Sequence, residues 1–244
     1  NKYLVLALNF SSVASSMERL EESFNTYCKI VMTGFAERNA HLLGEEAVEK
    51  LRELKTGDAL LGSLCQSANS KGQKIYLILD EYDNFANNIL VDYGNERYRS
   101  ITHGSGFFRG FLKVVKDYSN SVIERIFLTG VSPVTMDDLT SGFNIAANYS
   151  NSPTFNNMMG FNEQEVRTLI DYYKSYRKLP HTTNELIDIM KPWYDNYCFA
   201  LKALKEPSMY NSDMVLYFMN HYMLNEDIPE NMLDANIRTD YNKL

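Results

Sequence analysis

Two adjacent carboxylates directly follow a short apolar segment of the chain. Asp80 and Glu81 come after Ile75–Leu79. In nucleoside triphosphatases an acid at the end of such a strand lies beside the magnesium ion, and a second acid can polarise the attacking water. A strand suits this chemistry because it fixes both acids at the carboxyl edge of a sheet, where open α/β folds bind ligands. Asp80 is therefore a candidate metal ligand and Glu81 a candidate catalytic residue.

Two further residues belong to the same hypothesis. Thr129 follows the apolar segment Arg125–Leu128 and precedes Gly130. If the two apolar segments are parallel strands of one sheet, Thr129 emerges at the same edge as Asp80, where its hydroxyl can contact a γ-phosphate or the water. Asp83 lies three residues beyond Asp80 and is a further candidate for nucleotide binding.

The chain lacks the phosphate-binding loop G-x-x-x-x-G-K-[ST] that would support this interpretation independently. Gly57 and Gly62 have the required spacing, but Ser63 and Leu64 follow where Lys and Ser or Thr are needed, and the segment is typical of a helix. Acids also end strands simply because loops are solvated. The Asp-Glu pair by itself therefore leaves a purely structural role open.

The elements that must position these residues alternate between strands and helices. Residues 3–10, 75–79 and 125–129 are apolar runs of strand length, and the segments between them contain apolar residues at helical spacing. This alternation predicts an α/β fold with a parallel sheet. We expect a polar loop over 95–100 and a weaker strand within 143–149.

From residue 161 onward the apolar spacing is helical, and we predict no further strand. Asn162 and Glu165 fit a capping box, and Pro192 is expected to end a later helix. We therefore place a domain boundary near residue 160, with an α/β core over residues 1–160 and a helical lid region over residues 161–244.

Composition restricts the function further. The 24 Lys and Arg against 31 Asp and Glu give a net charge of −7, which argues against a protein whose main task is to bind nucleic-acid phosphates. No apolar run is long enough for a membrane span and no signal segment opens the chain, so we expect a cytoplasmic protein. The three cysteines are far apart and do not suggest a zinc site.

The segments around the candidate residues resemble a known family. These segments are similar, in their order along the chain, to predicted AAA-ATPase-like proteins, which are abundant in gut Bacteroidetes and other anaerobic bacteria. They are DEYD at 80–83, IFLTGVSPVTMDDLTSGFNI at 126–145, MGFNEQEV at 159–166, WYDNYCF at 193–199 and YNSDMVL at 210–216. The resemblance spans most of the chain.

This resemblance implies a P-loop NTPase core that uses ATP and Mg²⁺. Asp80 would be the Walker B magnesium acid, Glu81 the water-activating acid and Thr129 the sensor on the next strand. In the family a phosphate loop of the type R-P-R-R-F-G-K-[ST] precedes the strand that corresponds to residues 3–10, and a PD-(D/E)XK nuclease domain commonly follows the helical region. Since neither is in this chain, we expect an N-terminally truncated core and a nuclease domain as the candidate partner.

A second hypothesis belongs to another class of protein. The same core without nucleotide chemistry would be a degenerate, non-hydrolysing P-loop scaffold that presents surfaces to a partner, with the nuclease domain as the first candidate. The two hypotheses differ in whether a phosphate-loop lysine precedes residues 3–10 in the full-length protein.

The absence of a phosphate loop predicts that the 244-residue chain binds ATP negligibly, because the loop's lysine and backbone amides supply most contacts to the phosphates. Isothermal titration calorimetry with ATP and Mg²⁺ measures this. Micromolar affinity for ATP in this chain would contradict the expectation.

Overall fold

The computed structural model describes residues 2–13, 16, 18–103, 106–130, 145 and 147–234. The chain forms two compact units, which divide between Ala146 and Ala147. The boundary proposed from the sequence, near residue 160, lies further along the chain. The division leaves the three apolar strand segments together in the first unit.

Three parallel strands form the sheet of the first unit. They are β1 (Leu4–Asn9), β2 (Ile75–Asp80) and β3 (Ile123–Leu128), with β2 between the other two. All six residues of β1 pair in register with β2, from Leu4 opposite Ile75 to Asn9 opposite Asp80. The predicted α/β class, the three strands and their parallel arrangement in one sheet are confirmed.

Six helices described in the first unit connect these strands. They are α1 (Leu20–Arg38), α2 (Ala40–Leu43), α3 (Glu45–Glu53), α4 (Gly57–Ser70), α5 (Asn84–Thr102) and α6 (Phe107–Tyr118). The glycine pair with phosphate-loop spacing lies in α4, as the sequence indicates. The predicted polar loop over 95–100 is wrong, because these residues belong to α5. Buried Ile89, Tyr98 and Ile101 hold that polar helix in the fold.

The helices bury one face of the sheet. Along β1, Leu4, Leu6 and Leu8 are buried whereas the residues between them are exposed, as the period of two in a strand requires. The buried leucines share one hydrophobic core with residues of α1, α3, α4 and α6. Cys28 and Cys65 lie in this core, and burial raises the pKa of each thiol to about 12, which makes both poor nucleophiles.

The opposite face of the sheet is open among the described residues. Val5 is 54% exposed and Phe127 is 43% exposed, while Tyr76 and Ile78 on the central strand are half-buried. The run of residues 3–10 is apolar at both alternating positions, which predicts a strand covered on both faces, and the structure differs from that prediction. The open face ends at the carboxyl edge of the sheet, where the candidate residues lie.

The second unit contains three long helices and two short strands in its described residues. They are α7 (Glu163–Tyr176), α8 (Thr183–Tyr194), β4 (Asp195–Tyr197), β5 (Met209–Tyr210) and α9 (Ser212–Asn225). The capping box of Asn162 and Glu165 is confirmed. The prediction of no further strand is wrong, because β4 and β5 form an antiparallel pair. Both strands are too short to show an alternating pattern in the sequence. The helix predicted to end near Pro192 is α8, which includes Pro192 and ends at Tyr194.

Three of the motif segments, at 159–166, 193–199 and 210–216, contact one another in the second unit. Phe161 and Tyr210 exchange backbone hydrogen bonds of 2.9 and 2.7 Å, and the Asn211 N–H donates to the Tyr194 carbonyl at 2.9 Å. Gly160 adopts a left-handed backbone with φ of +83°. A Cβ on Gly160 would lie 2.6 Å from the Tyr210 carbonyl oxygen, so glycine is required there. These motif residues therefore build the second unit.

Two further expectations from the sequence concern a weaker strand and a membrane span. Of the weaker strand predicted within 143–149, residues 143, 144 and 146 lie outside the described residues, while 145 and 147–149 form no strand. No helix in the described part of the chain is long and apolar enough to cross a membrane.

We expect Gly160→Ala to lower the free energy of unfolding of the second unit by about 2–3 kcal/mol, because it adds a left-handed alanine and a clash with the Tyr210 carbonyl. Urea unfolding followed by the fluorescence of Trp193, the single tryptophan, measures this. Lys202→Ala, on the exposed surface of the same unit, should change it by less than about 0.5 kcal/mol. Equal effects of the two substitutions would contradict the role of Gly160.

Candidate functional site at the carboxyl edge of the sheet

One polar residue stands at the carboxyl end of each strand of the sheet. Asn9 and Asp80 are the last residues of β1 and β2 and are paired in register, and Thr129 directly follows β3. The Thr129 N–H donates to the Leu79 carbonyl at 2.9 Å, which holds Thr129 beside the end of β2. The structure thus brings Asp80 and Thr129 together, as the parallel arrangement predicts.

The Asp80 carboxylate is held from both sides. The Thr129 hydroxyl donates to Oδ1, and the Asn9 amide Nδ2 donates to Oδ2 at 2.7 Å. A carboxylate has about four lone-pair positions on its two oxygens, so these two hydrogen bonds leave acceptor positions for a further ligand. Asp80 is half-buried, and its orientation is set by both neighbouring strands.

Glu81 leaves the strand in an unusual backbone conformation. Its φ is +52°, in the left-handed region that a residue with a Cβ seldom adopts. Hydrogen bonds on either side hold this turn, because the Tyr82 N–H donates to the Thr129 carbonyl at 3.2 Å and the Asn84 N–H donates to the Glu81 carbonyl at 3.1 Å. Such strained positions are concentrated at functional sites, where the surrounding structure enforces them.

Asp83 differs from the two preceding acids because it is fully buried. Its Oδ2 accepts a hydrogen bond from the Asn87 amide at 2.8 Å. Gly130 packs so closely against it that a Cβ at that position would lie 2.3 Å from Asp83 Oδ1. Asp83 therefore ties the turn after β2 to the turn after β3, and its contact with a nucleotide stays a prediction.

The charges at this edge favour a cation. Neither Asp80 nor Glu81 forms an ion pair within the described part of the chain. Over the same residues, no three His, Cys, Asp or Glu side chains converge as a metal-binding group. This donor set fits Mg²⁺, which is commonly bound through one or two carboxylates plus substrate phosphates and water, without an all-protein cage.

Sequence reasoning missed Asn9 and Tyr27 at this edge. Asn9 lies within an otherwise apolar run, a pattern that indicates a strand and not a site residue. The Tyr27 hydroxyl, on α1, accepts a hydrogen bond from the Asn9 N–H at 2.6 Å. Burial raises the pKa of Tyr27. The signal available in the sequence was the strand period of two, which places Asn9 on the face opposite Leu8.

Comparison with known proteins assigns the chain to a family. A family model described as "Predicted AAA-ATPase" matches residues 1–140, more than half of the chain. The chain belongs to this predicted AAA-ATPase family. No curated protein and no solved structure matches the chain.

The match to the predicted AAA-ATPase family covers every residue of the site. It includes all three strands, Asn9, the acids that follow β2, and Thr129. It therefore confirms the family resemblance seen in the motifs. Membership indicates a nucleotide-binding role for the first unit, and proteins of this kind generally use ATP with Mg²⁺.

We expect Gly130→Ala to lower the free energy of unfolding of the first unit by about 1–3 kcal/mol, because its Cβ has no room against the buried Asp83 carboxylate. Circular dichroism during thermal and urea unfolding measures the change. Gly62→Ala is the matched control, since its Cβ would be 3.9 Å from Val114 inside α4 and should leave stability equal or higher. A Gly130→Ala variant as stable as Gly62→Ala would contradict the close packing.

Proposed function

We propose that this chain is part of an ATPase that binds ATP with Mg²⁺ at the carboxyl edge of the three-stranded sheet. The observation that carries the proposal is the hydrogen bond between Thr129 and Asp80 at that edge, with Glu81 directly after Asp80, in a member of the predicted AAA-ATPase family. Phosphoryl transfer to water requires charge neutralisation and an aligned nucleophile more than covalent chemistry, so three positioned side chains constitute a large part of the machinery.

Asp80 is the residue that would hold the metal ion. Its carboxylate is oriented by hydrogen bonds from two neighbouring strands and has no cationic side chain in the described residues to neutralise it. A bound Mg²⁺ would supply positive charge to the β- and γ-phosphate oxygens. The rigid strand end limits how far Asp80 can move, and so it fixes where the phosphates must lie.

Glu81 is the residue that would activate water. Its left-handed backbone ends the extended conformation directly after Asp80, so the alternation that sends neighbouring strand side chains to opposite faces does not hold for these two acids. The Glu81 side chain is half-buried and forms no ion pair among the described residues. A carboxylate without a cationic partner is free to accept a proton from a water molecule.

Thr129 fits the role of a sensor through its single hydroxyl proton. That proton is directed at Asp80 Oδ1 in this structure. A hydroxyl has one donor, so Thr129 reaches a phosphate oxygen as a donor only by rotating away from Asp80. The state of the γ-phosphate would thereby change one of the two hydrogen bonds that orient the metal-binding acid.

The remaining parts of the proposal are supported by the family resemblance alone. The core would be of the P-loop type, with a phosphate loop that the resemblance places before the strand corresponding to β1. Hydrolysis would be coupled to movement of the helical unit or of a nuclease domain that follows it. We further propose that the protein acts in the bacterial cytoplasm.

The decisive test compares ATP hydrolysis by the full-length protein with that of its Glu81→Gln variant at saturating Mg²⁺. We expect turnover to fall by about 10²–10⁴-fold, the typical contribution of a general base, with ATP binding retained. Glu53→Gln, an exposed acid at the end of α3, is the matched control and should keep full turnover.

Two outcomes would count against the proposal. Unchanged turnover in Glu81→Gln would remove Glu81 from the catalytic role. A folded wild-type protein that neither binds nor hydrolyses ATP would favour the non-hydrolysing scaffold.

A further inference from the structure

We propose that Asn9 is a positioning residue for the Asp80 carboxylate and thereby sets the Mg²⁺ concentration that ATP turnover requires. The inference rests on the proposed ATPase function and adds a residue to its site. It is carried by the geometry at the end of β1, where the Asn9 amide Nδ2 donates to Asp80 Oδ2 at 2.7 Å.

The orientation of the Asn9 amide is fixed by its other end. Asn9 Oδ1 accepts a hydrogen bond from the Ser11 N–H at 2.9 Å, at the start of the 3-10 turn Phe10–Ser12. An N–H can only face an acceptor, so the oxygen must point toward Ser11 and the NH₂ group toward Asp80. Asn9 therefore presents a donor to the acid in this geometry.

The backbone of Asn9 is anchored as firmly as its side chain. Its N–H donates to the Tyr27 hydroxyl at 2.6 Å, and the adjacent Phe10 is fully buried. The Phe10 ring packs against Phe24 and Phe108, with ring centroids 5.3 and 6.1 Å away. A side chain whose neighbours are locked in this way can hold a functional group in one position.

Asn9 and Thr129 share the task of orienting Asp80, but they differ in what else they can do. The Thr129 hydroxyl is able to leave Asp80 Oδ1 when it donates to a phosphate, since it has only one proton. The Asn9 amide is held by Ser11 and has no such alternative. Asn9 is then the side chain that keeps the carboxylate in place while nucleotide is bound.

A direct metal-binding role fits Asn9 less well. The only oxygen of its side chain already accepts from the Ser11 N–H, and its NH₂ group cannot bind a cation. Replacement of Asn9 should therefore weaken metal binding through misplacement of Asp80, while ATP contacts elsewhere are kept.

The test is Asn9→Leu in the full-length protein, because leucine has a similar shape and no donor. Steady-state ATP hydrolysis is measured against free Mg²⁺ and, separately, against ATP at saturating Mg²⁺, and Mg²⁺ binding without turnover is measured by isothermal titration calorimetry in the presence of a non-hydrolysable ATP analogue. We expect the half-saturating Mg²⁺ concentration to rise about 5–10-fold, as for loss of a partly exposed hydrogen bond to a charged group. The KM for ATP at saturating Mg²⁺ should change by less than about 2-fold, and the melting temperature should fall by no more than about 5 °C, because the variant also loses the cap on the Ser11 N–H.

Asn69→Leu is the matched control, because Asn69 is exposed near the end of α4, before β2 begins. It should leave the Mg²⁺ dependence unchanged. A wild-type Mg²⁺ requirement in Asn9→Leu, in a protein that hydrolyses ATP, would overturn the positioning role and leave the ATPase function standing. An equal rise of the Mg²⁺ requirement in both variants, or a rise seen only at temperatures where Asn9→Leu has begun to unfold, would also overturn it. A folded wild-type protein without ATP binding or turnover would overturn the proposed function and this role together.

Discussion

The site depends on the register between parallel strands. Asn9 lies opposite Asp80 only because β1 and β2 pair without a shift from their first residue to their last. A slip of one residue would bring Leu8 or Phe10 opposite Asp80 and turn the polar end of β1 to the other face. The pairing of β2 with β3 then brings Thr129 to the other side of the same acid. Backbone hydrogen bonds thus set the geometry of three side chains that are far apart in the chain.

The alternation of side chains along each strand separates the core from the site. Leu8 and Leu79 are fully buried, and their immediate neighbours Asn9 and Asp80 point to the opposite face. Each polar residue at the edge is therefore one peptide away from a residue that cannot move without opening the core. This coupling gives the edge its rigidity, and it explains how exposed Asn9 and half-buried Asp80 keep a defined arrangement.

The motif segments divide into two physical classes. Those after β2 and β3 carry acids and a hydroxyl to the sheet edge, where chemistry is proposed. Those of the second unit serve architecture, because Gly160 makes room for the Tyr210 carbonyl and Asn162 caps α7. A sequence motif can therefore reflect a requirement of the fold as readily as a site, and the contacts of each residue distinguish the two.

The sequence alone determined the three strands, the α/β class, the family and the candidate acids, because these depend on local patterns of apolar residues and on motif order. It missed β4, β5 and most of α5, since two- and three-residue strands show no period and α5 is held by Ile89, Tyr98 and Ile101 against a core formed elsewhere. Tertiary structure alone decided the left-handed turn at Glu81, the burial of Asp83 and the contact of Asn9 with Asp80. These features arise between residues distant in sequence, where cross-strand pairing and packing, not local propensity, set the geometry.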